Sequence, residues 1–257
     1  MLSKNKIKFI NSIKKKKYRD AHQKFFAEGE KLVDELLKSD AEISTIFATN
    51  EWLEQHQQII DKKSITSYLI TNEELKKISA LSTPNKVLAT IKIPEIKYNK
   101  TEIAQELSIL LDNVNDPGNL GTIIRIADWF GIKNIFCTKK SVDLYNPKVV
   151  QATMGAIFRV NVHYINFQEL LHDFYDNNDF IIYGTFLEGN NIYHEPLSPK
   201  GFIMMGSESH GISQQWEPYI QQKLFIPHYP DTKKTTESLN LSTATAIVCS
   251  EFRRRLF

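Results

Sequence analysis

Five polar residues of this chain could do chemistry together: Asn119, Arg125, Glu208, Ser238 and Asn240. Polar side chains on turns that follow apolar strands are how α/β proteins meet a ligand. These five lie in three stretches: Asn119-Leu-Gly-Thr-Ile-Ile-Arg125, Gly206-Ser-Glu208-Ser-His-Gly211-Ile, and Ser238-Leu-Asn240-Leu-Ser with Ile226-Pro227 ahead of it. Taken singly, each has a plain structural explanation. Asn119 suits a helix cap, Arg125 a solvated arginine paired with Asp128, Glu208 a loop acid, and Ser238 with Asn240 a cap pair. In this order, after three separate apolar runs, they read as one site. No His/Cys cluster accompanies them, so no metal is expected.

The elements that must position them are legible in hydrophobic patterning. Leu107–Leu111 reads as a buried strand, Asp116-Pro117-Gly118 as a turn, and Asn119 as the start of a helix. Leu120, Ile123, Ile124, Ala127 and Phe130 recur at helical spacing, and Gly131 is placed to end that helix. Arg125 lies almost opposite this apolar stripe, facing either water or a ligand. The fully apolar run Phe202–Met205 leads into Gly206, and Lys223–Ile226 forms a last strand before a helix that reaches about Arg255.

Length and composition bound the rest. A chain of 257 residues, 42% hydrophobic and 24% charged, has the make-up of a soluble globular protein of one large or two ordinary domains. Two cysteines are too few for a disulfide framework or a zinc site and read as buried thiols in a reducing cytoplasm. Neither a membrane-length apolar run nor a secretory signal is evident. Net charge is uneven: residues 1–100 hold 19 Lys/Arg and 13 Asp/Glu, against 13 and 17 in 101–257. Lys14, Lys15, Lys16, Lys17 and Arg19 form a dense basic patch, which suggests a polyanion such as RNA at the front of the chain. A solvated lysine-rich helix would show the same charge.

In chain order, residues 1–40 read as helical with a break at Gly29, followed by short strands and helices up to Ile93. This gives a small α/β module. Beyond residue 106, strands alternate with helices, including one that starts at Asn146-Pro147 and reaches about Gly155, so a mainly parallel sheet with helices on both faces is expected. The expected domains are 1–93, a linker over 94–106, and 107–257.

With the three stretches in view, the chain resembles the SpoU/TrmH branch of the SPOUT RNA methyltransferases. The likeness covers essentially its whole length. Asn119–Arg125, Gly206–Ile212 and Ile226-Pro227 with Ser238–Ser242 correspond to the family's three motifs. The front module, with Tyr18-Arg19 and Phe26-Ala-Glu-Gly29-Glu, looks like the L30e-like substrate-binding domain of many members.

The resemblance implies an α/β fold whose carboxy-terminal segment makes a deep trefoil knot, an exception to the un-knotted rule. It also implies S-adenosylmethionine as cofactor, a homodimer, a cytoplasmic location, and methylation of a ribose 2′-hydroxyl in structured RNA, ribosomal RNA before transfer RNA. Arg125, Asn119, Glu208, Ser238 and Asn240 then take the catalytic positions. Thr185, Phe186, Leu187, Gly206, Ile226 and Leu239 take the cofactor positions. One departure stands out. The stretch 228–237 between Pro227 and Ser238 is longer than the family spacing and lacks glycine, and its Lys233 and Lys234 could reach RNA. Two other classes compete: an RNA-binding scaffold without catalysis, and a Rossmann oxidoreductase. The second fails because no Gly-x-Gly-x-x-Gly follows a strand.

Overall fold

A computed structural model of the chain describes residues 2–175, 179–228 and 238–256. The order begins α1 (Lys4–Ser12), α2 (Lys16–His22), β1 (Lys24–Glu28), α3 (Glu30–Lys38), β2 (Ile43–Ala48), α4 (Asn50–Lys62), β3 (Ser67–Leu69), α5 (Asn72–Ile78) and β4 (Val87–Lys92). It continues α6 (Lys100–Ile103), β5 (Leu107–Leu111), α7 (Pro117–Trp129), β6 (Asn134–Thr138), α8 (Pro147–Ala152), β7 (Asn161–Ile165) and α9 (Phe167–Tyr175). It closes with β8 (Ile181–Asn191), β9 (Gly201–Met205), β10 (Gln222–Phe225) and α10 (Leu241–Arg254). Two compact units result: 1–95 with 143–159, and 96–142 with 160–257.

The first unit is built on a four-stranded sheet in the order β1-β4-β2-β3. Its strands present alternate residues to two cores. Phe25 and Ala27 enter one, with Leu36, Trp52 and Val150, and Phe26 enters the other, with Ile10, Phe47 and Leu75. This period of two explains why the expected helix over 1–40 is interrupted: Lys24–Glu28 is a strand, because Phe25 and Phe26 bury on opposite faces. At α5, Thr71 and Glu74 form a reciprocal capping box that holds the helix start.

The segment 143–159 was expected to belong with the second domain, yet it packs into the first unit. Val150 is buried there, and Tyr145, Ile157 and Phe158 pack beside it. Gly155, at φ +97, lies so close to α3 that a Cβ would stand 2.6 Å from that of Glu35. Arg159 pairs with Glu35 at 2.7 Å. Arg19 completes the attachment: its Nη2 meets Asp143 Oδ2 at 2.5 Å, while Nη1 donates to the carbonyls of Ile13 (3.0 Å) and Lys14 (2.7 Å).

The second unit holds a six-stranded sheet in the order β10-β8-β9-β5-β6-β7, with every neighbouring pair parallel. β5 and β9 are buried throughout, as the inner strands of a parallel sheet must be. The chain steps outward from β5 to β6 and β7, then crosses to the other side for β8, β9 and β10. The order therefore reverses between β5 and β9, where ligands of open α/β sheets collect at the carboxyl ends of the strands.

Arginines fasten α10 to this unit. Arg253 donates to the carbonyls of Phe130 (2.8 Å) and Gly131 (3.2 Å), meeting the negative end of α7. Arg255 reaches the carbonyls of Ile192 and Tyr193, both at 3.0 Å. Glu251, only 4% exposed, accepts from Arg254 and Arg255; those hydrogen bonds, that of Arg254 foremost, hold its carboxyl below the usual range.

Replacing Arg19 by alanine strands Asp143 and two carbonyls together. It should lower unfolding free energy by about 3 kcal/mol in chemical denaturation, against roughly 0.5 kcal/mol or less for Lys15→Ala.

Candidate active site

The three motif stretches meet on one carboxylate. Glu208 Oε1 accepts from Asn119 Nδ2 at 2.8 Å, from Asn240 Nδ2 at 2.8 Å and from the Leu241 N–H at 3.4 Å. Asn240 Nδ2 also reaches Asn119 Oδ1 at 3.0 Å, which closes a triangle. Asn240 is the cap of α10: its Oδ1 accepts from the N–H groups of Ser242 and Thr243 and from the Ser242 hydroxyl. With that oxygen committed, only its NH₂ can face Glu208 and Asn119.

Each corner of the triangle is set by local chemistry. Asn119 was expected at the helix start, but the cap of α7 is Asp116, whose Oδ1 accepts from the Asn119 N–H at 2.7 Å. Pro117 occupies the first turn, so Asn119 falls inside the helix, 7% exposed. Glu208 rides on a short closed loop in which Ser207 and Gly211 exchange two backbone hydrogen bonds. At Gly206 a Cβ would lie 2.0 Å from the Gly211 carbonyl carbon, so only glycine lets the strand pass under this loop.

Arg125 and Ser238 are not drawn into the triangle. Both are exposed and neither makes a hydrogen bond or ion pair among the described residues. For Arg125 this is distinctive. The chain has six arginines, and the other five, Arg19, Arg159, Arg253, Arg254 and Arg255, are engaged with carboxylates or carbonyls.

Five of the six candidate cofactor residues lie on or just past three adjacent strands, β10, β8 and β9, with Thr185, Phe186 and Leu187 inside β8, while Leu239 sits just before α10. Gly206 follows β9 and Ile226 follows β10. β8 pairs with β10 through Tyr183 and Gly184, then again through Asn190 and Asn191, so Thr185–Gly189 leaves the ladder. Backbone groups released from the sheet in this way are free to bind a ligand. Thr185 is steadied by its hydroxyl on the Met204 carbonyl at 3.2 Å. Phe186 packs on the core beneath, whereas Leu187 is 65% and Leu239 46% exposed, apolar surface suited to a flat heteroaromatic ring. These features fit an adenosyl cofactor.

The basic patch divides. Lys15, Lys16 and Lys17 are exposed at the start of α2. Lys14 is half-buried, with Nζ on the Ser79 carbonyl at 2.6 Å, and burial lowers its pKa against an opposing pull from Glu28. Arg19 is 3% exposed with Nη1 and Nη2 both bound to protein groups, so it holds the fold and is closed to RNA. Lys233 and Lys234, with most of the long loop, lie outside the described residues. Among the described residues no cluster of three His, Cys, Asp or Glu could hold a metal ion, and no helix is long and apolar enough to cross a membrane.

Residues 106–250 match the model of the SpoU rRNA Methylase family, and 4–89 match the MRM3-like substrate binding domain. The chain belongs to the SpoU rRNA methylase family. A TrmH-family protein from Porphyromonas gingivalis is 36% identical, with a TM-score of 0.85 over 99% of both chains. An AdoMet-bound rRNA methyltransferase from Sinorhizobium meliloti is 27% identical, with a TM-score of 0.85 over 100% of this chain and 97% of that one. A curated relative, the 23S rRNA (guanosine(2553)-2′-O)-methyltransferase RlmP of Bacillus subtilis, is 28% identical over 96% of each chain. Membership makes this SpoU-family chain an S-adenosylmethionine-dependent RNA methyltransferase, as its motifs led us to expect.

The triangle has a sharp electrostatic signature. Asn240→Asp sets a second carboxylate against Glu208 Oε1, where an amide N–H now sits at 2.8 Å. The like charges raise one folded-state pKa, so stability returns as pH falls. At pH 7, Asn240→Asp should be about 1–2 kcal/mol less stable than Asn240→Ala, and the gap should close below about pH 4 in thermal melts.

Proposed function

We propose that this chain transfers the methyl group of S-adenosylmethionine to a ribose 2′-hydroxyl of ribosomal RNA. The observation that carries the reading is the Asn119–Glu208–Asn240 triangle with an uncommitted Arg125 on the same helix as Asn119. The cofactor supplies an electrophilic methyl on a sulfonium, so the protein's work is alignment and charge.

Arg125 holds the target phosphate through its planar fork and stabilises the negative charge that develops on the 2′-oxygen as its proton passes to solvent water. A guanidinium keeps its charge in ordinary settings, which makes electrostatic support a better role for it than proton abstraction. Glu208 spends Oε1 on three protein donors and leaves Oε2 without a partner among the described residues. That second oxygen accepts a hydrogen bond from the ribose. Asn119 and Asn240 hold the carboxylate in place, and Ser238 lies two residues before the cap to complete the rim.

Thr185, Phe186, Leu187, Gly206, Ile226 and Leu239 form the cofactor cradle, and Lys15, Lys16 and Lys17 meet the RNA backbone. The fold supports two further parts of the reading. The carboxy-terminal segment threads to form a trefoil knot, and two copies associate through the catalytic unit. The exposed Trp129 on α7, 85% accessible, supports a second copy there. Cytoplasmic RNA is the substrate pool.

Mapping ribose 2′-O-methylation in total RNA with and without the gene tests the assignment. One ribosomal site should vanish on deletion and return with the wild-type gene, and an unchanged map would sink it. In vitro, Arg125→Ala should lower kcat by about 100-fold or more and Arg125→Lys by roughly tenfold. Near-full activity of the lysine variant with an acid-shifted pH limb would instead identify the residue as a base.

A further inference from the structure

We propose that Asp112 is a positioning residue for methyl transfer, gripping both ends of the loop that carries Glu208. The proposal rests on the reading of the Glu208 triangle as the active site. Asp112 follows the last residue of β5 and is 1% exposed, a buried acid directly after the apolar run Ile109–Leu111. Its backbone N–H donates to the Met205 carbonyl at 2.9 Å, which holds the loop where it leaves β9. Its carboxylate Oδ2 accepts from the Ser213 N–H at 2.9 Å, which holds the loop where it ends. The next residue, Asn113, reaches the Ser213 hydroxyl with Nδ2 at 3.4 Å.

Between these two anchors the chain has little freedom. Gly206 is pressed against Gly211 and Ile212, and Ser207 and Gly211 are bridged. A loop that is rigid within itself moves as a body, so its attachment decides where Glu208 stands. That attachment belongs to the strand that leads into α7 and Asn119. Asp112 therefore sets the spacing between Glu208 and Asn119 without touching either. A carboxylate accepting a backbone N–H in a buried setting is a stronger tether than a neutral acceptor. Oδ1 is buried with no hydrogen-bond partner among the described residues, so the Ser213 bond is the contact that a variant would lose.

The test uses full-length enzyme, labelled S-adenosylmethionine and total RNA from a strain lacking the gene. Asp112→Ala should lower the saturating rate about tenfold or more, while Asp112→Asn, which keeps an acceptor, recovers most of it. Ser213→Pro removes the N–H together with the hydroxyl, at a φ of −62 that proline can adopt, whereas Ser213→Ala removes the hydroxyl alone and so isolates the N–H. The proline variant should reproduce the loss, while Ser213→Ala, which keeps the N–H, stays within about twofold of wild type. If Asp112→Ala fails to fold, this serine pair decides alone. In a double-mutant cycle with Glu208→Gln, the second substitution should cost less than about twofold more, because both act through one loop.

Independent, multiplying losses would overturn the proposal, as would a Ser213→Pro enzyme with wild-type rate. Wild-type rate in Glu208→Gln alone would overturn the active-site reading instead. Calorimetric binding of S-adenosylmethionine provides a second readout. Its affinity should change by less than about threefold in Asp112→Asn, and equal weakening in Asp112→Asn and Asp112→Ala would assign the effect to the carboxylate's charge and overturn the tether.

Discussion

Three donors from two distant parts of the chain converge on Glu208 Oε1, and the architecture of the catalytic unit depends on that convergence. A hydrogen bond to a charged group contributes about 1.5–3 kcal/mol, and an amide left facing a carboxylate the wrong way costs a comparable amount. The orientation of Asn240 is imposed by an ordinary need of helix α10, whose first N–H groups require an acceptor. Capping a helix thereby orders the site, and the same side chain joins the end of the chain to the two earlier motifs.

The sheet makes the convergence possible. β5 and β9 lie side by side although 89 residues separate Asn119 from Glu208. Their burial forces both to be apolar, so the polar residues must gather just past their carboxyl ends. Of the cofactor residues, Gly206 and Ile226 follow the same rule on β9 and β10. Against this background of committed polar groups, the free guanidinium of Arg125 stands apart, and its freedom fits a partner that arrives from outside.

Much of this was legible in the sequence because it rests on local signals. β2, β5 and α9 are apolar or amphipathic runs, and Pro147 marks a helix start. The misreadings have a common cause in long-range contacts. Lys24–Glu28 carries adjacent phenylalanines that also suit a helix, and only a sheet with a core on each side makes it a strand. Arg19 looked like part of a basic patch because its partner, Asp143, is 124 residues away. Asp116 displaced Asn119 as the cap since Pro117 can start the helix, a choice between two good cap residues three positions apart. Asp112 carried a visible cue, an acid after the apolar run Ile109–Leu111, but its meaning needed Ser213.

The placement of residues 143–159 in the first unit bears on how such proteins can be recombined. A crossover in the stretch before β5 transfers the front unit without the strip that fills its core at Val150 and answers Arg19 with Asp143. A functional exchange of RNA-recognition modules between relatives needs three junctions, one near residue 95 and two flanking 143–159. A front unit exchanged at a single junction therefore arrives with a mismatched core.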